Sequence, residues 1–138
     1  MEKPIITVLT KAECLEKIAS VTLGRLVVRR KDDMDIFPIN FVLDGEKIYF
    51  RTAEGYKLFS VALNNDVLFE VDEAKEDSAW SVVVRGTASL VQDIWEIQHA
   101  DRLPLKPWVP TLKHNYVRID FNEMSGRAFV LGDEPDRY

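Results

Sequence analysis

The sequence predicts a mainly-β protein: a closed or partly closed antiparallel barrel of six to seven strands, with two or three short helices. Runs rich in β-branched and aromatic residues follow one another through the middle of the chain. Asp44-Gly45 stands between two of these runs and indicates a hairpin. The length of 138 residues suits one domain, which we take as residues 1–138. A barrel is favoured because closing the sheet removes exposed strand edges.

The first predicted element is a helix over about residues 10–20. Thr10-Lys11-Ala12-Glu13 has the spacing of a capping box, in which a hydroxyl and a carboxylate satisfy backbone N–H groups at a helix start. Leu15, Ile18 and Ala19 then follow at helical spacing. An extended run begins at Leu23-Gly24.

The remaining elements follow from changes of period along the chain. Asp44-Gly45 predicts a type I′ turn, since that turn needs positive φ at both central residues. Residues 103–110 contain three prolines and predict a stiff connector. Helical spacing recurs at residues 56–64 and 94–100. Strands are predicted at residues 25–28, 36–43, 47–51, 67–71, 80–91, 116–121 and 126–131.

Composition excludes several classes of protein. The net charge of −5 and the pI near 5.1 argue against a basic nucleic-acid-binding face. Cys14 is the sole cysteine, so no internal disulfide can form, which favours the reducing cytoplasm. No signal-peptide pattern and no run of about 18 apolar residues occurs, so neither export nor membrane insertion is expected.

Residues 48–57 form the segment best suited to binding a phosphate. A strand ends in Arg51-Thr52, turns through Gly55 and leads into a helical pattern that contains Lys57. Two cations, a hydroxyl and helix N-terminal amides would converge there, and each favours an anion. The alternative is that Arg51 and Lys57 are solvated charges beside a loop.

The predicted second strand carries Pro38 and Asn40 inside the apolar run Phe37-Pro38-Ile39-Asn40-Phe41. Proline removes a ladder donor, so this stretch is either a plain edge strand or a bulge where a ligand meets the backbone. Trp80 and Trp108 could wall a pocket for a flat ligand or fill the core, and Arg127 is a further candidate.

Familiar catalytic patterns are absent from the sequence. His99 and His114 lack partners at metal-ligand spacing, so no metal site is predicted. The acidic stretch around Asp72 and Glu76 is interpreted as a solvated loop. No Walker loop, dinucleotide fingerprint or nucleophile elbow occurs, and no catalytic residue is assigned.

Read in order, the motifs of residues 9–129 resemble the pyridoxamine 5'-phosphate oxidase-like, FMN-binding split-barrel family. The segments that carry the resemblance are Leu23-Gly24-Arg25-Leu26, Phe37-Pro38-Ile39-Asn40-Phe41, Tyr49-Phe50-Arg51-Thr52 with Gly55-Tyr56-Lys57, Leu68-Phe69-Glu70-Val71-Asp72, Trp80-Ser81-Val82-Val83-Val84-Arg85-Gly86-Thr87-Ala88 and Ser125-Gly126-Arg127-Ala128-Phe129.

The resemblance implies a homodimer with two flavin mononucleotide (FMN) sites at the subunit interface. It assigns the phosphate to Arg51 and Thr52, at the end of the strand that carries Phe50, and to Lys57 on the helix predicted next. The isoalloxazine ring would rest along Pro38, Ile39 and Asn40. The residues expected to close the pocket from the partner subunit are Trp80, Ser81, Trp108 and Arg127.

The function expected from the resemblance is a flavin-dependent oxidoreductase of unknown small-molecule substrate. Two alternatives stay open: a non-enzymatic flavin carrier or sensor, and a reductase that uses a deazaflavin coenzyme on the same fold. Other branches of the family bind haem. The chain is shorter than full-length pyridoxamine 5'-phosphate oxidases and lacks their C-terminal substrate segment, which argues against vitamin B6 oxidation.

Overall fold

The computed structural model describes residues 4–30, 32–52, 65–105 and 115–136, which contain eight strands and two helices. Both helices are short, and the strands carry most of the chain. In chain order the elements are β1 Ile6–Val8, α1 Lys11–Ala19, β2 Leu23–Arg30, β3 Asp33–Asn40, β4 Val42–Asp44, β5 Lys47–Thr52, β6 Asp66–Ala74, β7 Ser78–Leu90, α2 Ile94–Asp101 and β8 Asn115–Val130.

The strands form one antiparallel sheet in the order β3-β2-β6-β7-β8-β5-β4, with β1 paired to the far end of β8. β3 and β4 stand at opposite ends of this order, yet only Phe41 separates them in the chain. β3 therefore contacts β5, and the sheet curls into a partly closed barrel. The predicted split-barrel architecture is confirmed.

Helix α1 closes the inner side of the barrel. Its capping box is formed as predicted, since the Thr10 hydroxyl accepts from the Glu13 N–H and the Glu13 carboxylate accepts from the Thr10 N–H. Cys14 and Ile18 are buried. The helix lies so close to β8 that a Cβ at Gly126 would come within 2.6 Å of the Cys14 Sγ. A glycine is needed there for the helix and strand to touch.

The main core lies between α1 and the inner face of the sheet. Side chains alternate along each strand, so every second residue of β2, β6 and β7 points inward. Phe41 and Phe69 meet edge to face, with ring centroids 4.9 Å apart. The largest contributions come from Ile18, Leu26, Val28, Ile48, Phe50, Phe69, Val71, Val82, Val84, Val117 and Ile119.

Several element predictions are confirmed and others need correction. β3 is an edge strand, as Pro38 indicated, and α2 covers the predicted helical segment. Asp44 pairs with Lys47, so the loop residues of the β4–β5 hairpin are Gly45 and Glu46, one position later than predicted. The positive φ of 64° at Gly45 fits this turn. The predicted helix at residues 56–64 and most of the proline connector lie outside the described residues.

The C-terminal strand pair was predicted wrongly. Residues 115–130 form one continuous strand, because β8 accommodates Asn122 as an extra residue in a bulge opposite Arg85 and Gly86 and stays paired with β7 on both sides. β1 was not predicted at all. It has three exposed residues and forms only by pairing with β8.

Candidate functional site

The outer face of the sheet is covered at one end and uncovered at the other. At β4, β5 and the first half of β8, helix α2 packs over the strands. A second, smaller core forms there from Tyr49, Val91, Ala100 and Tyr116. We call this part the covered face. The rest of the outer surface, over β3, β2, β6, β7 and the second half of β8, carries no helix among the described residues, and we call it the open face.

A polar network ties α2 to the covered face. Arg118 donates from one guanidinium nitrogen to both oxygens of Glu96, at 2.8 and 2.7 Å, and from Nε to Asp120 at 3.0 Å. The Tyr49 hydroxyl donates to the same Glu96 carboxylate at 2.9 Å. Partial burial would raise the pKa of Glu96, but the hydrogen bonds from Arg118 and Tyr49 outweigh it and hold that pKa below its usual value.

Two further hydrogen bonds fasten the end of α2. The Tyr116 hydroxyl donates to Asp101 at 2.6 Å, and burial together with this bond raises the pKa of Tyr116 to about 12. His99 Nε2 lies 2.7 Å from Asp44 on the hairpin. His99 therefore contributes to helix docking, and the described residues contain no cluster of three potential metal ligands.

Arg51 occupies the margin of the covered face with an unsatisfied donor. It pairs with Tyr116 in the β5–β8 ladder, and its guanidinium carbon lies 5.8 Å from the centre of that ring. Its Nε is buried and has no hydrogen-bond partner among the described residues. A buried guanidinium N–H without an acceptor costs free energy, so the position suits an added anion.

The end of β3 lies beside Arg51. The β4–β5 pairing ends at Val42 and Tyr49, so Asn40 and Arg51 each lie two residues beyond the last pair. The contact between β3 and β5 agrees with this placement. The structure thus brings the predicted ring-binding strand and the Arg51-Thr52 end of β5 to one place. Lys57 and Trp108 lie outside the described residues.

The other predicted site residues divide between the core and the open face. Phe50 and Trp80 are buried in the main core, and Ile39 packs against it. Trp80 is thus a core residue, with the Lys17 Nζ 5.6 Å from its ring centre. Pro38, Ser81 and Arg127 alternate outward onto the open face.

One protomer keeps these open-face residues apart. Ser81 pairs with Arg127, whereas Asn40 lies on β3, four strands away from β8. At the usual strand spacing this separates Asn40 from Arg127 by roughly 19 Å along the sheet. A single small ligand cannot contact both ends within one chain unless it spans that distance.

The open face exposes large apolar side chains. Met34 is 71% exposed, Ile36 64%, Leu68 37% and Val83 40%. Two shallow grooves of about 340 and 310 Å³ adjoin at Leu68 and Arg85. Contiguous apolar surface of this kind marks interaction sites on soluble proteins.

A charged cluster sits in the middle of this apolar surface. One Arg25 guanidinium nitrogen lies 2.7 Å from Glu70 and 3.3 Å from Asp72. Arg25 pairs with Glu70 across β2 and β6 and with Pro38 across β2 and β3. Partial burial, then the hydrogen bond and charge of Asp72, raise the pKa of Glu70 to about 7 against the opposing effect of Arg25. Sequence reasoning missed this cluster, although the alternation of 68–72 could have placed Glu70 and Asp72 on one face.

Membrane insertion through a helix has no support in the described residues. Neither helix there is long and apolar enough to cross a bilayer.

Comparison with known proteins identifies close relatives. A sequence profile described as pyridoxamine 5'-phosphate oxidase matches residues 10–128. A Corynebacterium glutamicum structure, named as a candidate pyridoxamine 5'-phosphate oxidase, is 60% identical with a TM-score of 0.90, covering 97% of this chain and 99% of that one. The FAD binding protein from Mycobacterium smegmatis is 42% identical with a TM-score of 0.78, covering 91% of this chain and 99% of that one. An uncharacterized Mycobacterium tuberculosis protein is 41% identical over 96 residues, 70% of this chain and 87% of its own length.

Proposed function

This chain belongs to the pyridoxamine 5'-phosphate oxidase family, and on that premise we propose that it is a flavin-binding homodimer that acts as an oxidoreductase on a small molecule. The observation that carries the flavin proposal is the buried Arg51 Nε beside the end of β3, which has no acceptor in the described part of the chain. A phosphate of the cofactor would supply that acceptor.

The predicted site residues on β3 and β5 then have definite tasks. Arg51 and Thr52 would hold the phosphate, while Pro38 and Asn40 would position the flat ring along the edge strand. The bound flavin supplies the electron-transfer chemistry, and the protein supplies orientation and electrostatics. Phe50, Ile39 and Trp80 support the site from the core side of the sheet.

The dimer proposal rests on the open face. β3 is apolar on both sides, since Phe37 and Ile39 pack against the core while Met34 and Ile36 point outward. Such a strand has to be covered on its second side, and a second copy can cover it. A partner would also bring its own Ser81 and Arg127 toward a flavin that is out of reach of these residues in its own chain.

A second copy also suits the charge of this face. Its arginines and carboxylates occur in equal number, although the whole chain has a net charge of −5. A face dominated by one sign would repel a copy of itself. The charged residues that alternate outward are Arg25, Arg29, Arg85 and Arg127, and Asp66, Glu70, Asp72 and Glu123.

Three flavin-type cofactors are candidates for the proposed site. FMN is the cofactor expected from the family resemblance, and FAD is the one in the name of the M. smegmatis relative. A deazaflavin coenzyme is the remaining alternative. Mass spectrometry of the small molecule released from the purified protein distinguishes all three by mass.

The phosphate assignment is tested by replacing Arg51. We expect Arg51→Ala to weaken FMN binding by about ten- to a hundredfold, equivalent to roughly 1.5 to 3 kcal/mol for a lost charged hydrogen bond. Riboflavin has no phosphate, so its affinity should barely change. Arg102→Ala, which removes the same charge from an exposed position at the end of α2, is the matched control. Equal losses for FMN and riboflavin would show that Arg51 does not bind the phosphate.

A flavin carrier is the second candidate function. It is favoured by the character of the proposed pocket side chains, which are binding groups: Asn40, Arg51, Thr52, Ser81 and Arg127. Hydride transfer to a flavin requires proximity and orientation before it requires a protein base, so this set also serves an oxidoreductase. Anaerobic reduction of the bound flavin by NADPH, followed by reoxidation with candidate acceptors, separates the two functions.

A further inference from the structure

The Arg25–Glu70–Asp72 cluster has one positive group for two carboxylates. Glu70 and Asp72 point to the same side of β6, and both face the single guanidinium of Arg25. Both carboxylates and the arginine are partly open to solvent in the protomer, at 28%, 44% and 46% side-chain exposure. Water therefore still solvates the excess negative charge.

The surroundings of Glu70 offer little else to balance that charge. On β2 it faces Arg25, with Leu23 and Val27 as diagonal neighbours, and on β7 it faces Val83. The diagonal positions on β7 are Ser81 and Arg85, and Arg85 is itself opposite Glu123 on β8. Within the described ranges, the charged groups around Glu70 are thus Arg25, Asp72 and, one diagonal away, Arg85.

Covering this face with a second copy removes water from the cluster. An unbalanced carboxylate that loses its solvation is strongly destabilised, and uptake of a proton relieves the cost. Glu70 and Asp72 face the same guanidinium nitrogen of Arg25, at 2.7 and 3.3 Å, so a proton on one carboxylate would relieve the repulsion between the two. On the basis of the proposed dimer, we propose that association through the open face takes up protons at the Glu70–Asp72 pair of each subunit. The dimer is then strengthened by acid and weakened by alkali.

The linkage between proton binding and association sets the direction and size of the pH dependence. In the free protomer the pKa of Glu70 is already raised to about 7. Burial in the dimer raises it further, so the dimer binds more protons than the separated protomers above neutral pH. The dissociation constant then rises with pH, by at most about tenfold per proton per pH unit. Two symmetry-related clusters allow up to about a hundredfold per unit.

The test measures dimer dissociation against pH by fluorescence-detected sedimentation, with FMN saturating throughout. For the wild-type chain we expect the dissociation constant to rise at least about tenfold between about pH 6.5 and 8.5. The Glu70→Gln variant has a neutral side chain at every pH. Its dissociation constant should therefore be constant across this range, and lower than that of the wild type at the alkaline end. Glu123→Gln removes another carboxylate from the same face and should keep the wild-type slope.

The outcomes separate this inference from the dimer itself. A wild-type protein that stays monomeric at every pH and concentration contradicts the proposed dimer. A dimer whose dissociation constant is independent of pH, or falls as pH rises, contradicts proton uptake while leaving the dimer intact. A Glu70→Gln variant that retains the full slope assigns the proton elsewhere and also overturns the inference. If the wild-type dimer never dissociates measurably, the rate of subunit exchange is measured by energy transfer between labelled subunits. The wild type, Glu70→Gln and Glu123→Gln are then compared across the same pH range.

Discussion

Each face of this sheet carries one arginine shared by two carboxylates, but the two clusters differ in how completely the carboxylates are hydrogen-bonded. On the covered face, Arg118 donates to Glu96 and Asp120, and Glu96, which lies on α2, also accepts from the Tyr49 hydroxyl. On the open face, two carboxylates divide one arginine. A complete network permits permanent burial, whereas an incomplete one is tolerated only while water can reach it. This difference supports the proposed dimer, in which a second copy covers the open face.

The largest expected effect comes from placing a charge on the open face. Ile36→Glu should weaken dimerisation by about a hundredfold or more, because each subunit would bury an unpaired carboxylate. Ile94→Glu is the matched control, since Ile94 is similarly exposed, 57% against 64%, but lies on α2. Light scattering over a dilution series measures the dimer dissociation constant of both variants. Equal weakening by the two variants would remove the distinction between the faces.

A smaller effect is expected from breaking each charge cluster in turn. Arg118→Ala leaves Glu96 half-buried with only Tyr49 as donor, and should lower the free energy of unfolding by about 2 to 3 kcal/mol. Arg25→Ala removes a solvent-exposed partner and should cost less than about 1 kcal/mol. Urea unfolding in the Ile36→Glu background keeps association out of the comparison. If Arg25→Ala proved the more costly variant, the open cluster would be a structural element of the protomer.

The smallest effect concerns the Tyr116–Asp101 hydrogen bond. Tyr116→Phe should lower the free energy of unfolding by about 1 kcal/mol at neutral pH. The pKa of Tyr116 is raised to about 12 in the fold, so its contribution is full below the ordinary tyrosine pKa near 10 and is lost as pH rises toward 12. Between about pH 10 and 12, the free energy of unfolding should fall less steeply with pH for Tyr116→Phe than for the wild type. Identical slopes would show that the hydroxyl is not protected by the helix.

Features set by nearby residues could be predicted from the sequence. The capping box of Thr10 and Glu13 and the hairpin near Gly45 each depend on a few neighbouring side chains. Pro38 correctly indicated an edge strand because its missing donor excludes it from a sheet interior. The ordered motifs predicted the family and the barrel because they sample the whole chain.

Features set by distant contacts could not be predicted in this way. β1 exists only because Ile6 reaches Phe129, and β8 is continuous because its bulge at Asn122 keeps it paired with β7. Trp80 could have lined a pocket or filled the core, and only the pairing of β7 with its neighbours placed it inside. The Arg25 cluster needed the β2–β6 register, which joins residues 45 positions apart.

The place of β8 in the strand order has a consequence for synthesis of the chain on the ribosome. β8 comes after the other seven described strands in the sequence, yet it lies between β7 and β5 and also pairs with β1. Until its residues emerge, β3-β2-β6-β7 and β4-β5 are two unconnected pieces of sheet, and β1 has no strand to join. The barrel therefore closes only after β8 has been synthesised, when this strand joins two pieces of sheet whose edges have until then been open to other chains.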